Sequence, residues 1–379
     1  MYLNKIKGSP ALQLVNLVIE KTSRGEKIIS LAIGEPTFET PKEIIDEAYN
    51  SLKKGDTKYT SSYGMEDVRK AIVEKVNKKN KIKAEITNVI FSAAKFAVFA
   101  SLMAVTNSKG EILTPDPGYF YIEPIILAGA KPVYYKLNED FSLNLDEIKK
   151  KIKKKTLAII INTPANPTGK VYDEKELEEL YEFCKDNNVY IISDEAYEDL
   201  VYDKRHFSIG SLEDKPDKVI SIFSLSKSYS MTGWRAGYIT ASENIISNIN
   251  KLIENTMTCF PSFIQKASAF ALKNGDIYIE KFREEFRKRR DLTFKRLKEM
   301  KNIDIRSIEG AFYAFPRYNA KLKSIEISKK LLNDYNVALM PGISFGPSGE
   351  YHLRISFAGS IETISEGLDR LEEFFSSLN

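Results

Sequence analysis

Short apolar runs alternate with amphipathic stretches in the middle of the chain. The apolar runs at 157–161, 189–192 and 219–223 have the length and composition of buried strands. Between the first two runs, residues 173–187 place leucines and a phenylalanine at helical spacing. A strand, a helix and a further strand in this rhythm predict an α/β fold with a mostly parallel sheet.

The rest of the chain continues the alternation and closes with a smaller α+β unit. The pattern predicts these further elements: an amphipathic helix up to about residue 26, a strand at 28–33, a helix near 68–76, a strand at 89–91 with a helix from about residue 95, a strand at 111–114, helices within 244–273 and 281–300, strands at 311–315 and 351–357, and a final helix at 361–377. We expect an N-terminal segment (1–40) that contributes to a small domain, a large domain (41–280) and a small C-terminal domain (281–379).

Polar side chains stand where three of the predicted strands end. Asn166 follows the first strand, Asp194 and Tyr197 follow the second, and Lys227 follows the third. Ligands of parallel sheets gather at the carboxyl ends of the strands, so these side chains are expected to lie together. Burial lowers the pKa of a lysine and frees its amine for nucleophilic or Schiff-base chemistry.

Hydroxyl groups and one arginine surround this lysine in the sequence. The segment 219–238 contains Ser224, Ser226, Ser228, Ser230 and Arg235. Such groups suit an anion, for example a phosphate. Taken singly, each residue also has a structural explanation: Lys227 could be a surface charge, Asp194 could cap a helix and Asn166 could form a turn.

Composition narrows the class of protein. The net charge of +4 is small against 56 basic and 52 acidic side chains, so no nucleic-acid partner is expected, and the lysine run at 149–155 is interpreted as a solvated helix face. Two cysteines give no disulfide framework and two histidines make a His-rich metal site improbable. Without a signal-like start or a run of about 20 apolar residues, we expect a cytoplasmic protein with no membrane partner.

The order S-x-S-K-x-x-x-x-x-G-W-R-x-G-Y at 224–238 resembles the lysine segment of a known enzyme family. The family is that of the fold-type I aminotransferases in the aspartate aminotransferase superfamily, which use pyridoxal 5′-phosphate (PLP). Further similar runs are G-E-P-x-F-x-T-P at 34–41, N-P-x-G at 166–169, D-x-x-Y at 194–197 and R-I-S-F-A at 354–358. The resemblance implies the fold-type I architecture, a large domain with a mostly parallel central sheet plus a smaller α+β domain.

The resemblance also implies roles at the cofactor ring. Lys227 corresponds to the lysine that forms the imine with PLP, and Asp194 to the acid that keeps the pyridine nitrogen protonated. Tyr197 and Asn166 correspond to the donors that face the phenolate oxygen. Tyr119 stands where the family places an aromatic residue that stacks on the ring.

For the cofactor phosphate, the resemblance implies two side chains, one helix N-terminus and one residue from a neighbouring subunit. These positions are Ser224 and Arg235, then Ala93, Ala94 and Lys95, and finally Tyr59. Unpaired N–H groups at a helix start suit phosphate. The family usually has a glycine or two where this chain has alanines, so a slightly restricted backbone approach is expected. Tyr59 implies a homodimer.

For the substrate, the resemblance implies Gly34, Asn166 and Arg354 as ligands, with Arg354 binding the α-carboxylate. Tyr313 or Phe345 is expected near the substrate side chain. Taken alone, Arg354 could instead serve a structural salt bridge.

The expected reaction is an amino transfer from an L-amino acid, with aspartate as the first choice, to a 2-oxo acid such as 2-oxoglutarate. It would follow ping-pong kinetics through the Lys227 imine. Alternatives are an aromatic, alanine or kynurenine aminotransferase, a PLP-dependent C–S β-lyase, and a PLP-binding regulatory module. A dehydrogenase is disfavoured because no G-x-G-x-x-G follows a strand.

Overall fold

The computed structural model describes Asn4 and residues 6–106 and 109–378. Its α-helices are α1 (Pro10–Ser23), α2 (Lys42–Lys53), α3 (Glu66–Lys75), α4 (Ala94–Val105), α5 (Ile122–Leu127), α6 (Leu145–Lys151), α7 (Glu174–Asp186), α8 (Leu225–Ser228), α9 (Glu243–Thr256), α10 (Ser262–Asn274), α11 (Asp276–Glu299), α12 (Ser324–Asp334) and α13 (Ile361–Ser377). Its strands are β1 (Ile29–Ser30), β2 (Val89–Ser92), β3 (Glu111–Asp116), β4 (Lys131–Lys136), β5 (Thr156–Asn162), β6 (Tyr190–Asp194), β7 (Val219–Ser224), β8 (Gly237–Thr240), β9 (Ile303–Asp304), β10 (Tyr313–Ala314), β11 (Arg317–Tyr318), β12 (Val337–Ala338), β13 (Met340–Pro341) and β14 (Leu353–Ser356).

A seven-stranded sheet forms the centre of the molecule, in the order β2-β8-β7-β6-β5-β3-β4. Strand β8 pairs antiparallel with β2 and β7, and the pairs from β7 to β4 are parallel. The prediction of an α/β fold with a mostly parallel sheet is therefore confirmed. The parallel run brings the carboxyl ends of β3, β5, β6 and β7 to one edge of the sheet.

Apolar side chains cover both faces of this sheet. Ile160, Ile192 and Ile220 belong to a buried cluster that also contains residues of α4, α9 and α10. Their neighbours Ile159 and Ile191 belong to a second cluster, which contains residues of α6 and α7. Successive side chains of a strand point to opposite faces, so these continuous isoleucine runs supply both layers.

The C-terminal part builds a separate apolar layer around an antiparallel sheet, β10-β14-β13. The 24-residue helix α11 and the final helix α13 pack together in this part. The N-terminal segment joins it, because β1 pairs in parallel with β12. Within the described residues, no helix has the length and apolar character that a bilayer crossing requires.

The structure differs from the sequence prediction at several strands. The strand expected at 28–33 is limited to β1, because Leu31 donates from its nitrogen to Ala338 but accepts at its oxygen from Ser356 of β14. The backbone at Leu31 therefore passes from pairing with Ala338 to pairing with β14, and this change of hydrogen-bond partner ends β1. Six further strands were not predicted: β4 is an edge strand that carries lysines and a proline, β8 has four residues, and β9, β11, β12 and β13 have two residues each.

Candidate active site

A cavity of about 300 Å³ opens at the carboxyl ends of the parallel strands. Most of the residues singled out in the sequence line it, namely Gly34, Ala94, Lys95, Tyr119, Asn166, Asp194, Tyr197, Ser224, Lys227, Arg235, Tyr313 and Arg354. Its size lies at the lower end of the range for small-molecule sites. The side chains that the strand ends were expected to bring together therefore share one cavity.

Five of the singled-out residues do not line the cavity, among them Ser228 and Ser230 of the lysine segment. Ala93 caps α4 and is buried beside the cavity. Tyr59 has 86% of its surface exposed and lines a separate surface hollow with Cys259 and neighbouring residues. Phe345 does not line the cavity, but its ring lies 5.0 Å from the Arg354 guanidinium. A single chain thus leaves Tyr59 away from the site, and its role across a dimer stays a prediction.

Lys227 is a half-buried residue of short helix α8, directly after β7, and its amine lies in the cavity wall. Its Nζ donates to the backbone oxygen of Gly34 at 2.7 Å and lies 5.5 Å from the centre of the Phe312 ring. Burial lowers its pKa to about 8, with Arg235 acting in the same direction and Glu35 against it. Near neutral pH a fraction of this amine is therefore unprotonated.

Asp194 ends β6 as a buried carboxyl group. Its Oδ2 accepts from the Tyr121 hydroxyl at 2.8 Å, and its Oδ1 accepts from the Ala196 backbone nitrogen at 3.2 Å. Burial raises its pKa to about 6, while these two hydrogen bonds act to lower it. At neutral pH the group is an anion that would pair well with a protonated ring nitrogen.

Gly34 approaches the cavity wall more closely than a side chain would allow. A Cβ at this position would lie 1.8 Å from the hydroxyl of Tyr313. That hydroxyl lies 3.0 Å from the hydroxyl of Tyr197. The missing side chain of Gly34 therefore leaves room for the Tyr313 hydroxyl, and its backbone oxygen accepts the hydrogen bond from Lys227.

Arg354 lies in β14 with 3% of its surface exposed. It donates from Nη1 to Oδ1 of Asn166 at 3.1 Å and from Nη2 to the backbone oxygen of Ala32 at 2.5 Å. Both acceptors are neutral, and its buried Nε has no partner among the described residues. No described carboxylate pairs with this guanidinium, so the arrangement favours a carboxylate ligand over the structural salt bridge.

A second group of cavity residues supplies positive charge and hydrogen-bond donors. Helix α4 begins at Ala94 without a side-chain cap, so no capping side chain accepts a hydrogen bond from its first N–H groups. Arg235 has the left-handed φ of 57° and donates to the Thr232 oxygen at 2.6 Å. Burial and Arg235 lower the pKa of Lys95. Ser224 accepts from the Ser226 nitrogen at 3.2 Å, which leaves its own hydroxyl hydrogen to donate.

Several residues of the site were missed in the sequence. Asn162 ends β5, donates to the Asp194 backbone oxygen at 2.8 Å and accepts from the Asn166 nitrogen at 2.7 Å. An asparagine at a strand end is a signal that could have identified it. Tyr121 carried no such signal. Ser9, Leu12 and Val15 also line the cavity, because α1 packs beside its mouth.

The fold and the cavity define an α/β enzyme of fold-type I, with a half-buried lysine and a buried acid in a cavity that two arginines also line. The chain belongs to the family Aminotransferase class I and II, whose sequence model matches residues 26–371. It is an enzyme, a transaminase.

Individual relatives agree with the family. The chain is 40% identical over 356 residues to an aspartate aminotransferase of Pyrococcus abyssi, covering 91% of each chain. It is 39% identical over 358 residues to aromatic-amino-acid aminotransferase 2 of Thermococcus litoralis, covering 92% of each. A solved structure of the Thermus thermophilus aspartate aminotransferase with maleate matches with a TM-score of 0.94 at 28% identity, over 98% of each chain.

Proposed function

We propose that this aminotransferase uses PLP and moves the amino group of an acidic L-amino acid, with aspartate as the first choice, to a 2-oxo acid such as 2-oxoglutarate. The observation that carries the proposal is the single cavity in which Lys227, Asp194, Arg235 and Arg354 meet. These four groups supply an amine, an acid and two separate anion sites.

The donor set fits PLP at each of its functional groups. The Lys227 amine suits the aldehyde and the buried Asp194 anion suits the ring nitrogen, while the uncapped start of α4 with Ser224 and Arg235 suits the phosphate. Tyr197 and Asn166 would donate to the phenolate oxygen, and Tyr119 would cover the ring. When bound, PLP supplies the electron sink that makes the bonds at the substrate Cα labile.

Lys227 acts as the proton carrier in this proposal. Because burial lowers its pKa to about 8, its Nζ can accept a proton from the substrate Cα and return it during the same half-reaction. The Gly34 oxygen, 2.7 Å away, orients this amine whenever it is free. Two half-reactions on one site give ping-pong kinetics.

Arg354 and Asn166 hold the α-carboxylate of the substrate. The guanidinium is planar and can bind a carboxylate through two parallel hydrogen bonds. The rings of Tyr313, at 4.5 Å, and Phe345, at 5.0 Å, pack against the guanidinium and support its orientation.

Charge in the cavity supports an acidic donor. Among the described lining residues there are four cations and one acid: Lys95, Lys227, Arg235 and Arg354 against Asp194. In this proposal Arg235 binds the cofactor phosphate and Arg354 binds the substrate α-carboxylate, while Lys227 carries the proton. Lys95 lies with Arg235 among the expected phosphate ligands, so the net positive charge of the cavity as a whole is what favours a second carboxylate on the donor. Aspartate aminotransferases among the relatives support the same choice.

An aromatic donor is the second candidate. Phe120, Tyr119 and Tyr313 line the same cavity, and the Thermococcus litoralis relative is named for aromatic amino acids. Alanine, kynurenine and a C–S β-elimination remain further alternatives within the same cofactor site.

A panel of amino donors tests the proposal, with 2-oxoglutarate as acceptor. We expect the highest kcat/KM with aspartate, and parallel lines in double-reciprocal plots. The variant Lys95→Met should weaken PLP binding roughly 10- to 100-fold, as expected for losing a hydrogen bond to a charged group, and leave the ratio of kcat/KM for aspartate to that for alanine nearly unchanged.

The control is Lys83→Met, an exposed lysine paired with Asp214. A preference for tyrosine or phenylalanine would overturn the acidic donor but keep the aminotransferase. Release of ammonia in place of amino exchange would favour the β-lyase.

The proposal also includes the homodimer in which Tyr59 reaches the neighbouring cofactor phosphate. We also expect the domain limits to lie at residues 40 and 280 and the protein to be cytoplasmic. The pairing of β1 with β12 supports the assignment of the N-terminal segment to the small domain.

A further inference from the structure

We propose that Tyr121 is a positioning residue, which holds the Asp194 carboxylate in the ionised, correctly oriented form that a protonated ring nitrogen requires. This inference rests on the proposed PLP function. It concerns a residue that does not line the cavity and has no part in the functions assigned above.

The contact between the two side chains is short and fully buried. The Tyr121 hydroxyl donates to Oδ2 of Asp194 at 2.8 Å, and Tyr121 has 0% of its surface exposed. Among the described residues, the other donor to this carboxylate is the Ala196 backbone nitrogen, on Oδ1. Tyr121 is therefore the side chain that fixes how the carboxylate is rotated.

The topology shows how far the tyrosine reaches. Asp194 ends β6, while Tyr121 follows β3, and β5 lies between these strands. Neighbouring strands are about 4.8 Å apart, so the two strand ends are about 10 Å apart. The loop after β3 and the length of the phenol together bridge this gap above β5.

The same ring also supports Tyr119. The two rings meet edge to face, with centroids 5.5 Å apart and an interplanar angle of 72°. Tyr119 is the residue proposed to cover the cofactor ring. One buried side chain thus positions both the group behind the ring nitrogen and the group that covers the ring.

Asp194 needs such a donor because its surroundings oppose its charge. Burial raises its pKa, and the neighbouring Glu195 carboxylate acts in the same direction. The Tyr121 hydrogen bond acts against both, since donation to a carboxylate favours the ionised form. A merely structural tyrosine would contribute to stability without changing this titration.

The experiment compares two buried tyrosines that each donate one hydrogen bond. Tyr121→Phe removes the bond to Asp194, and the control Tyr135→Phe removes a bond of 2.9 Å from a fully buried hydroxyl to the Ile160 backbone oxygen. In the apoprotein, the titration of Asp194 is followed by NMR of carboxyl-labelled aspartate, with Asp194→Asn for assignment. In the holoprotein, the PLP dissociation constant and the pH midpoint of the cofactor absorbance are measured.

We expect Tyr121→Phe to raise the Asp194 titration midpoint by roughly one pH unit and to weaken PLP binding roughly tenfold. Tyr135→Phe should change neither. An unmoved Asp194 midpoint in Tyr121→Phe, or equal effects of the two variants, would overturn the proposal.

A second substitution at position 121 tests the proposal without removing the hydroxyl group, in case Tyr121→Phe does not fold. 3-Fluorotyrosine at position 121 keeps the shape of the ring and has a more acidic hydroxyl, so it should lower the Asp194 midpoint; no change would count against the proposal. Because both titrations use the apoprotein, they decide the role of Tyr121 separately from PLP binding by the wild type. Failure of wild type to bind PLP would instead overturn the proposed function.

Discussion

Burial moves the pKa values of two neighbouring groups toward each other at the residue scale. That of Asp194 rises to about 6 and that of Lys227 falls to about 8, in both cases mainly through loss of solvation. Each shift means that the charged form costs folding free energy. The site therefore keeps two reactive groups ready at the expense of the stability of the apoprotein.

The variant Asp194→Asn should stabilise the apoprotein at pH 8. The folded-state pKa is raised from 3.8 to about 6, so the folded state binds the proton more tightly than the unfolded state. The stabilising contribution is complete below pH 4 and is lost as the pH rises through about 6. Removing the ionised group should gain up to about 3 kcal/mol in the free energy of unfolding, measured by urea denaturation.

The gain should shrink when the same measurement is made at pH 5, and PLP binding should be severely weakened. The exposed Asp334 at the end of α12 provides the control Asp334→Asn. Equal or lower stability of Asp194→Asn at pH 8 would contradict the prediction.

At the scale of elements, the segment after β1 separates Lys227 from β10. Gly34 in this segment accepts from Lys227, and the Tyr313 hydroxyl of β10 occupies the space of its missing side chain. In Gly34→Ala, the new methyl group must displace Tyr313 or the segment. We expect kcat/KM to fall roughly 100-fold, because a shift of about 1 Å at the reacting groups has this effect.

The matched control is Gly359→Ala, where the added Cβ would meet Thr363 at an ordinary 3.6 Å. Its kcat/KM should stay within about twofold of wild type. Steady-state kinetics and a circular dichroism spectrum of each variant check the prediction, which fails if the two alanine variants behave alike.

Strand ends made much of the site predictable from the sequence. Asp194 and Lys227 follow apolar runs whose length marks buried strands, and parallel pairing brings such ends together. Tyr121 could not be found in this way, because its contact depends on how a loop crosses a third strand. The partner of Lys227, the Gly34 oxygen, is a backbone atom 193 residues away and leaves no mark in composition.

At the scale of the whole molecule, the cavity is built from distant parts of the chain. Residues of α1, the strand ends of the central sheet, and β10 and β14 all line it. Tyr59, with 86% of its surface exposed, lies outside this set. The proposed dimer would add it from the neighbouring chain.

Mixing two defective variants tests that arrangement. Lys227→Ala should be inactive, and Tyr59→Ala should bind PLP weakly. After unfolding and refolding together, about half of the dimers should be mixed, and each mixed dimer has one site with an intact Lys227 and an intact partner Tyr59. We expect about a quarter of wild-type activity at limiting PLP, measured in the aspartate assay.

The control refolds each variant alone in the same way. Activity equal to the average of the separate variants would show that Tyr59 acts within its own chain or not at all.

The guanidinium of Arg354 is already engaged by two neutral oxygens, those of Asn166 and Ala32. A guanidinium carries five N–H donors, and the one at Nε has no partner among the described residues, so donors remain for an incoming carboxylate while these two contacts hold the side chain in place. Discrimination against molecules that lack a carboxyl group follows, because a neutral competitor would leave the buried positive charge of Arg354 without an anionic partner.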